Sequence, residues 1–276
     1  MKKKLLVTLM LSCALALTAC GENAGSTDAE NTQVENTEET TEETTEETTE
    51  ETTEETTEET TEETTEETTE TESSEVTVMT YEEYVAADVD TEVVIEAYVQ
   101  AKQSWWEDQV TVYAQDEDGA YFLYNMACSE EDNEKLVPGT KIQVTGYKSV
   151  WSGEVEIVDA TFEIVEGDSF IATPVDVTDM LGTDDLESYQ NQLVCFADMT
   201  VVSVAYKNDT PGDDIYVTLS KDDAEYSFCL EYYLNGSDED FYNLVGGLEE
   251  GQVVDVEGFL YWYEGANPHI TAVTVK

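Results

Sequence analysis

The sequence predicts a mainly β protein: two five-stranded Greek-key barrels in tandem, each with a short helix, behind a disordered acidic tether. Three observations point there. A motif occurs twice with the same internal spacing. Apolar and polar residues alternate within each copy, the period of a half-buried strand. A long Glu/Thr tract with no apolar residue separates both copies from the N-terminus.

The first copy of the motif runs Leu136, Gly139, Ile142, Val144, Gly146 and Tyr147, followed by Trp151, Gly153 and Ile157. The second runs Leu248, Gly251, Val254, Val256, Gly258 and Phe259, followed by Tyr263, Gly265 and Ile270. Gly139 and Gly251 suit the turn that enters a strand, and Gly146 and Gly258 a bulge or bend within it. Gly153 and Gly265 fall in the loop that leads to a last strand.

The elements ahead of the motif repeat as well. Thr80 and Glu83 form a capping box that opens a short leading helix. Glu92–Ala101 and Gln109–Gln115 read as strands, Asp116 to Gly119 as a hairpin turn, and Tyr121–Cys128 as a third strand. Ser129 to Asp132 reads as the capped start of a helix ending near Leu136. In the second copy the strands are Gln192–Ala205, Ile215–Ser220 and Glu225–Tyr233, with a turn at Lys221 to Asp223 and a helix within Ser237–Leu248. Thr183–Gln190 is the counterpart of the leading helix. Three strands, a helix and two strands is the order of the OB-fold. The predicted domains are 76–166 and 191–276, joined by a linker over 167–190.

From Glu38 to Thr69 the chain repeats Glu-Glu-Thr-Thr, and no apolar residue lies between Val34 and Val76. Nothing there offsets the entropy of ordering the backbone. A helix would stack Glu on Glu at i,i+4, which is repulsive. Residues 20–75 therefore read as a disordered tether, roughly 40–45 Å across as a neutral coil and longer once charge repulsion is added.

The extreme N-terminus reads as an export signal. Lys2, Lys3 and Lys4 precede an apolar run that begins at Leu5 and closes with Leu17-Thr18-Ala19-Cys20-Gly21. That stretch is too short to span a bilayer permanently. A cysteine directly after Leu-Thr-Ala resembles the lipobox of bacterial lipoproteins; a plain secretory signal is the simpler alternative. The resemblance implies cleavage of residues 1–19 and lipidation of the Cys20 thiol, so that two acyl chains hold the protein at the outer face of the cytoplasmic membrane. The segment Val112 to Tyr124 resembles the second and third strands of bacterial OB-fold domains of the anticodon-binding-like kind. Together these features resemble tandem OB-fold surface lipoproteins of Gram-positive, gut Clostridia-like bacteria.

Charge narrows the expected partners. Residues 20–75 hold 23 acids and no base, and the remainder holds 42 acids against seven lysines, with no arginine anywhere. The basic face usual in the family is missing, so polyanions are repelled and nucleic acid is disfavoured. Cys128, Cys195 and Cys229 show no metal-ligand spacing, and His269 is the sole histidine. No metal, cofactor or catalytic constellation is predicted. Asp116 with Asp118, and Asp213 with Asp214, lack the spacing of a calcium loop and read as acidic turns. OB barrels bind across strands two and three between the loops joining strands one to two and four to five. Those loops hold Trp105, Trp106 and Trp151, and the strands hold Tyr113 and Tyr124, with Lys102 and Gln103 beside them. The expectation is a non-enzymatic extracellular binding module presenting these aromatics to a glycan or peptide. Packing is the plainer role for the tryptophans, and docking to a membrane or cell-wall protein is the alternative function.

Overall fold

The computed structural model describes residues 77–276, which fall in one compact unit. The predicted signal peptide over 1–19, Cys20 and the tether over 20–75 lie outside the described residues.

Helix α1 (Tyr81–Ala86) opens as expected, with Thr80 Oγ1 accepting from the Glu83 amide at 3.2 Å and Glu83 Oε2 accepting from the Thr80 amide at 2.8 Å. Its far end is closed by Lys148, whose ammonium donates to the carbonyls of Tyr84, Val85 and Ala87 at 3.0, 2.8 and 2.8 Å. A cation among a helix's free carbonyls complements its dipole.

The first barrel comprises β1 (Glu92–Lys102), β2 (Gln109–Gln115), β3 (Ala120–Ala127), β4 (Lys141–Trp151) and β5 (Glu154–Ile164), with α2 (Glu130–Lys135) between β3 and β4. It closes in the order β1-β2-β3-β5-β4, sealed by a parallel pairing of Phe122 with Glu156. Alternation sends Val93, Ile95, Ala97 and Val99 inward against Leu123, Ile142, Val144 and Ile157. Ser129 caps α2, accepting from the Asp132 amide at 3.1 Å.

The second sheet comprises β6 (Val175–Asp176), β7 (Leu193–Tyr206), β8 (Ile215–Lys221), β9 (Ala224–Leu230), β10 (Val253–Phe259) and β11 (His269–Val275). Its order is β10-β11-β9-β8-β7-β6, with a further antiparallel pairing of β10 to β7. Helices α3 (Tyr232–Asn235) and α4 (Glu239–Gly246) lie between β9 and β10. The two motif glycines behave alike. The β4–β5 register shifts between Thr145 and Tyr147, and the β10–β11 register between Glu257 and Gly258. Gly139 and Gly251 take φ of +87° and +84° at the entering turns, a conformation that disfavours a Cβ.

Three expectations are corrected. β9 stops at Leu230, because Glu231 accepts from the amides of Tyr233 and Leu234 and starts α3 there, so Tyr232 and Tyr233 are helical. The segment Asp184–Tyr189 is 3-10 helix, and Thr183 turns its hydroxyl back to Met180 O instead of capping it. The linker is also part of the fold. Phe170 O and Ala172 N bond the Gln100 side chain, while β6 pairs with β7 and sends Val177 into the second core. The three cysteines are free thiols, with Cys128 and Cys229 buried and Cys195 partly so.

Barrel and sheet meet through aromatic rings. Tyr113 stacks on Phe259 with centroids 4.3 Å apart and planes 8° apart, and Phe122 meets Tyr261 edge-on at 5.3 Å. Tyr113, Phe122 and Phe259 form a small buried cluster of their own. Full burial of such a side chain contributes about 1.5–3 kcal/mol.

Candidate functional site

One face of β2 and β3 is half covered. Tyr113 and Phe122 lie under the second sheet, while Thr111 and Tyr124, two residues further along the same face, line an open groove. Its volume is about 420 Å³, and Trp105, Trp106, Gln103, Asn125 and Tyr233 complete its walls. No carboxylate or ammonium lines it. That is notable in a chain of net charge −55.

Local geometry explains how each side chain is held. Glu107 and Asp108 both take positive φ, and Trp106 and Gln109 exchange backbone hydrogen bonds of 3.0 Å around them. Such a two-residue hairpin is tight, and it leaves the Trp106 ring 71 % exposed. Trp105 turns the other way. Its indole Nε1–H donates to Cys128 O at 2.8 Å, and the ring packs on the first core. On β3, Asn125 takes φ +47° where the β2–β3 register shifts between Val110 and Val112. The bulge is fixed by the Asn125 amide donating to Thr111 Oγ1 at 3.1 Å, and Tyr124 beside it is 45 % exposed. Tyr233 arrives on α3, whose chain is tied to the hairpin by the Ser104 amide donating to Tyr233 O at 2.7 Å. Burial pushes the Glu231 carboxyl that caps α3 up to about 7.

The predicted site residues therefore divide. Trp105, Trp106, Tyr124 and Gln103 share the groove. Tyr113 does not: it has no exposed surface, and its hydroxyl lies 2.8 Å from His269 Nδ1. Burial lowers the His269 imidazole to about 4 and raises the phenol well above its ordinary value, so a neutral phenol and a neutral ring share this hydrogen bond. Trp151 is not in the groove either; its ring pairs with Tyr263 at 5.3 Å and is 52 % exposed. Lys102 is turned away onto α2, donating to Asn133 O and Oδ1. Among the acidic turns, Asp116 Oδ1 accepts from the amides of Asp118 and Gly119, and Asp213 and Asp214 pair with Lys207. No cluster of metal-ligating residues occurs among the described residues.

Asn125 and Tyr233 are among the groove residues that were not foreseen. Asn125 carried a faint signal, since Asn is the side chain that best tolerates positive φ inside a strand. Tyr233 carried none, because its place is set by packing across the molecule.

No family model and no curated protein matches the chain. Solved structures do. A murine DNA binding protein bound with double-stranded DNA aligns at 10 % identity and a TM-score of 0.34, over 66 % of this chain and 94 % of that one. A HINa domain in complex with a 20-base-pair double-stranded DNA aligns at 11 % identity and 0.32, over 67 % and 98 %. A Replication Protein A heterotrimer bound to single-stranded DNA aligns at 13 % identity and 0.29, over 67 % and 49 %. These neighbours correct two expectations. The dismissal of nucleic acid as a partner is withdrawn; the DNA is a property of those proteins, and likenesses this distant assign no partner to this chain. The glycan or peptide ligand, with its docking-protein alternative, is withdrawn.

Proposed function

We propose that the chain is a non-enzymatic binding protein whose groove stacks one or two unpaired nucleobases of a single strand. The observation that carries this reading is the uncharged groove of Trp105, Trp106, Tyr124 and Tyr233 with the amides of Gln103 and Asn125 at its walls. Aromatic faces stack on any base, and amides match the donor and acceptor edges that bases present. The surrounding carboxylates repel the phosphates. Base contact rather than backbone contact then provides the affinity, which is modest and rises with salt as repulsion is screened. Ordinary single-strand binders show the opposite slope.

Two further parts of the reading concern the architecture and the address. The pairings β7–β8, β8–β9, β9–β11, β10–β11 and β7–β10 repeat the ring of the first barrel, which supports a second OB-fold barrel in tandem. The lipobox-like Leu17 to Cys20 supports lipidation of Cys20, placing the barrels outside the cytoplasmic membrane beyond a Glu/Thr tether. Mass spectrometry of the native N-terminus tests it: a diacylglyceryl mass on Cys20 is expected, and a bare thiol there would overturn the anchor.

The binding test is a titration of tryptophan fluorescence with thymidine and with a short oligothymidylate. Saturable quenching is expected, weakened about tenfold or more in Trp106→Ala. No binding, or binding unchanged in Trp106→Ala and in Tyr124→Ala, would overturn the reading.

A further inference from the structure

The aromatic walls of the groove are not held alike. Trp105, Trp106 and Tyr124 stand on the first barrel and its hairpin, whereas Tyr233 stands on α3, a single short turn of helix. Two carboxylates hold the start of α3. Glu231 Oε1 accepts from the Tyr233 amide at 3.2 Å and Oε2 from the Leu234 amide at 2.7 Å, while Asp214 Oδ1 accepts from the Tyr232 amide at 3.0 Å. The two residues that Glu231 holds serve different places. Leu234 packs on the cluster of Tyr113, Phe122 and Phe259, and Tyr233, 61 % exposed, walls the groove. The Ser104 amide and hydroxyl donate to Tyr233 O at 2.7 and 3.2 Å, which ties that wall to the tryptophan hairpin.

A carboxylate serves two amides with two equivalent oxygens. A protonated carboxyl keeps one good acceptor and turns its other oxygen into a donor. Protonation of Glu231 therefore leaves the Tyr233 amide or the Leu234 amide without its partner. We propose that Glu231 is a proton-operated latch on the groove: ionised, it fixes the Tyr233 wall, and protonated, it lets that wall loosen, so that the groove takes a base more tightly while Glu231 is ionised. The ligand in this statement rests on the nucleobase reading; the latch does not.

The latch works near neutrality. Burial, reinforced by the Asp214 carboxylate, pushes the Glu231 carboxyl up to about 7, against the opposing pull of its two amides and of Lys207. Ionisation costs the fold because the carboxylate loses water, yet only the ionised form bonds both amides. Four neighbours keep one charge state between pH 6 and pH 8. Lys207, raised by its bonds to Asp214 and Asp213, stays cationic. Cys229 on β9 and Tyr113 on β2 are raised by burial and stay neutral, as does His269 on β11, lowered to about 4. Glu154 titrates near 8, but it accepts from the Trp262 amide at 2.8 Å and is not among the groove's walls.

Two measurements on the full chain test the latch separately from its ligand. Without ligand, the 15N-labelled amides of Tyr233 and Leu234 are followed by NMR from pH 5 to pH 9. Both are expected to shift with a shared midpoint near 7, in Glu154→Gln as in the parent, and to lose that midpoint in Glu231→Gln. Thymidine is then titrated by tryptophan fluorescence; being uncharged, it is indifferent to phosphate repulsion. Its affinity is expected to fall about tenfold from pH 8 to pH 6, the reverse of what relief of repulsion gives a charged strand. In Tyr233→Ala that pH dependence is expected to vanish while the amide at position 233 still titrates, since Glu231 bonds backbone; this arm holds even where Glu231→Gln unfolds. Amides that do not titrate in the folded chain, or thymidine bound as well or better at pH 6, would overturn the proposal. Amides that titrate while thymidine binds at no pH would uphold the latch and sink the nucleobase reading.

Discussion

Tyr113 and Phe122 share one outer face of β2 and β3 with Thr111 and Tyr124, yet the two halves of that face have opposite fates. The half at Tyr113 is roofed by Phe259, Tyr261 and His269 of the second sheet; the half at Tyr124 stays open between a hairpin and α3. The residues differ little in kind. What differs is whether a distant part of the chain arrives to cover them, and that decides whether an aromatic side chain stabilises the junction or meets a ligand.

The largest way to break the covered half is Tyr113→Ala. It removes the ring stacked on Phe259 and leaves His269 Nδ1 without its hydrogen-bond partner, in a site with no exposed surface. A loss of about 3–5 kcal/mol in denaturant unfolding is expected. Tyr113→Phe keeps the stack and loses only the hydrogen bond, so about 1–3 kcal/mol is expected. Equal losses in the two variants would mean that the hydroxyl, not the ring, holds the junction.

Next in size is the pH dependence of the same junction. The folded Glu154 carboxyl titrates near 8 against an ordinary 4.5, so the folded state binds the extra proton between those values. Stability is then greatest at the acid end of that window and falls as pH rises through it, by on the order of a few kcal/mol. Glu231, raised to about 7, acts in the same direction. His269, lowered to about 4 from 6.5, acts in the opposite one: its contribution is present above 6.5 and is lost as pH falls toward 4. Unfolding free energies measured from pH 5 to pH 9 should therefore decline, and Glu154→Gln should flatten the decline. A rise with pH would refute the buried, protonated carboxyl.

Trp151 probes a contact outside both halves. Its ring meets Tyr263 but remains half exposed, so Trp151→Ala should cost about 1 kcal/mol and leave nucleobase binding unchanged. Loss of binding in that variant would extend the site across the junction.

Much of this molecule was legible in its sequence because it is written locally. Ile142 and Val144, like Val254 and Val256, alternate inward, and the glycine two residues later marks a register shift in both copies. The capping box at Thr80 and Glu83 is read directly from side-chain chemistry. Local chemistry failed where tertiary contacts chose between close alternatives. Glu225–Tyr233 is an uninterrupted strand-like run, and Glu is not a favoured N-cap; Glu231 accepting from the Tyr233 and Leu234 amides, with Asp214 accepting from the Tyr232 amide, turns its last residues into α3. The roles of Tyr113 and Tyr124 could not be separated for the same reason. Alternation shows which face a residue occupies, but carries no information on what covers that face.

The smallest stability effect belongs to the open half, and it is the most diagnostic. Trp106 is 71 % exposed, so Trp106→Ala should change unfolding free energy by less than about 0.5 kcal/mol. The positive φ of Glu107 and Asp108 and the Trp106–Gln109 backbone pair hold the hairpin without help from the ring. A large exposed indole that contributes almost nothing to stability has no packing role to explain it. If the same substitution removes oligothymidylate binding, the indole serves a ligand. If unfolding instead shifts by 2 kcal/mol or more, about what burial of a core side chain is worth, the ring is packed in solution and the groove is closed.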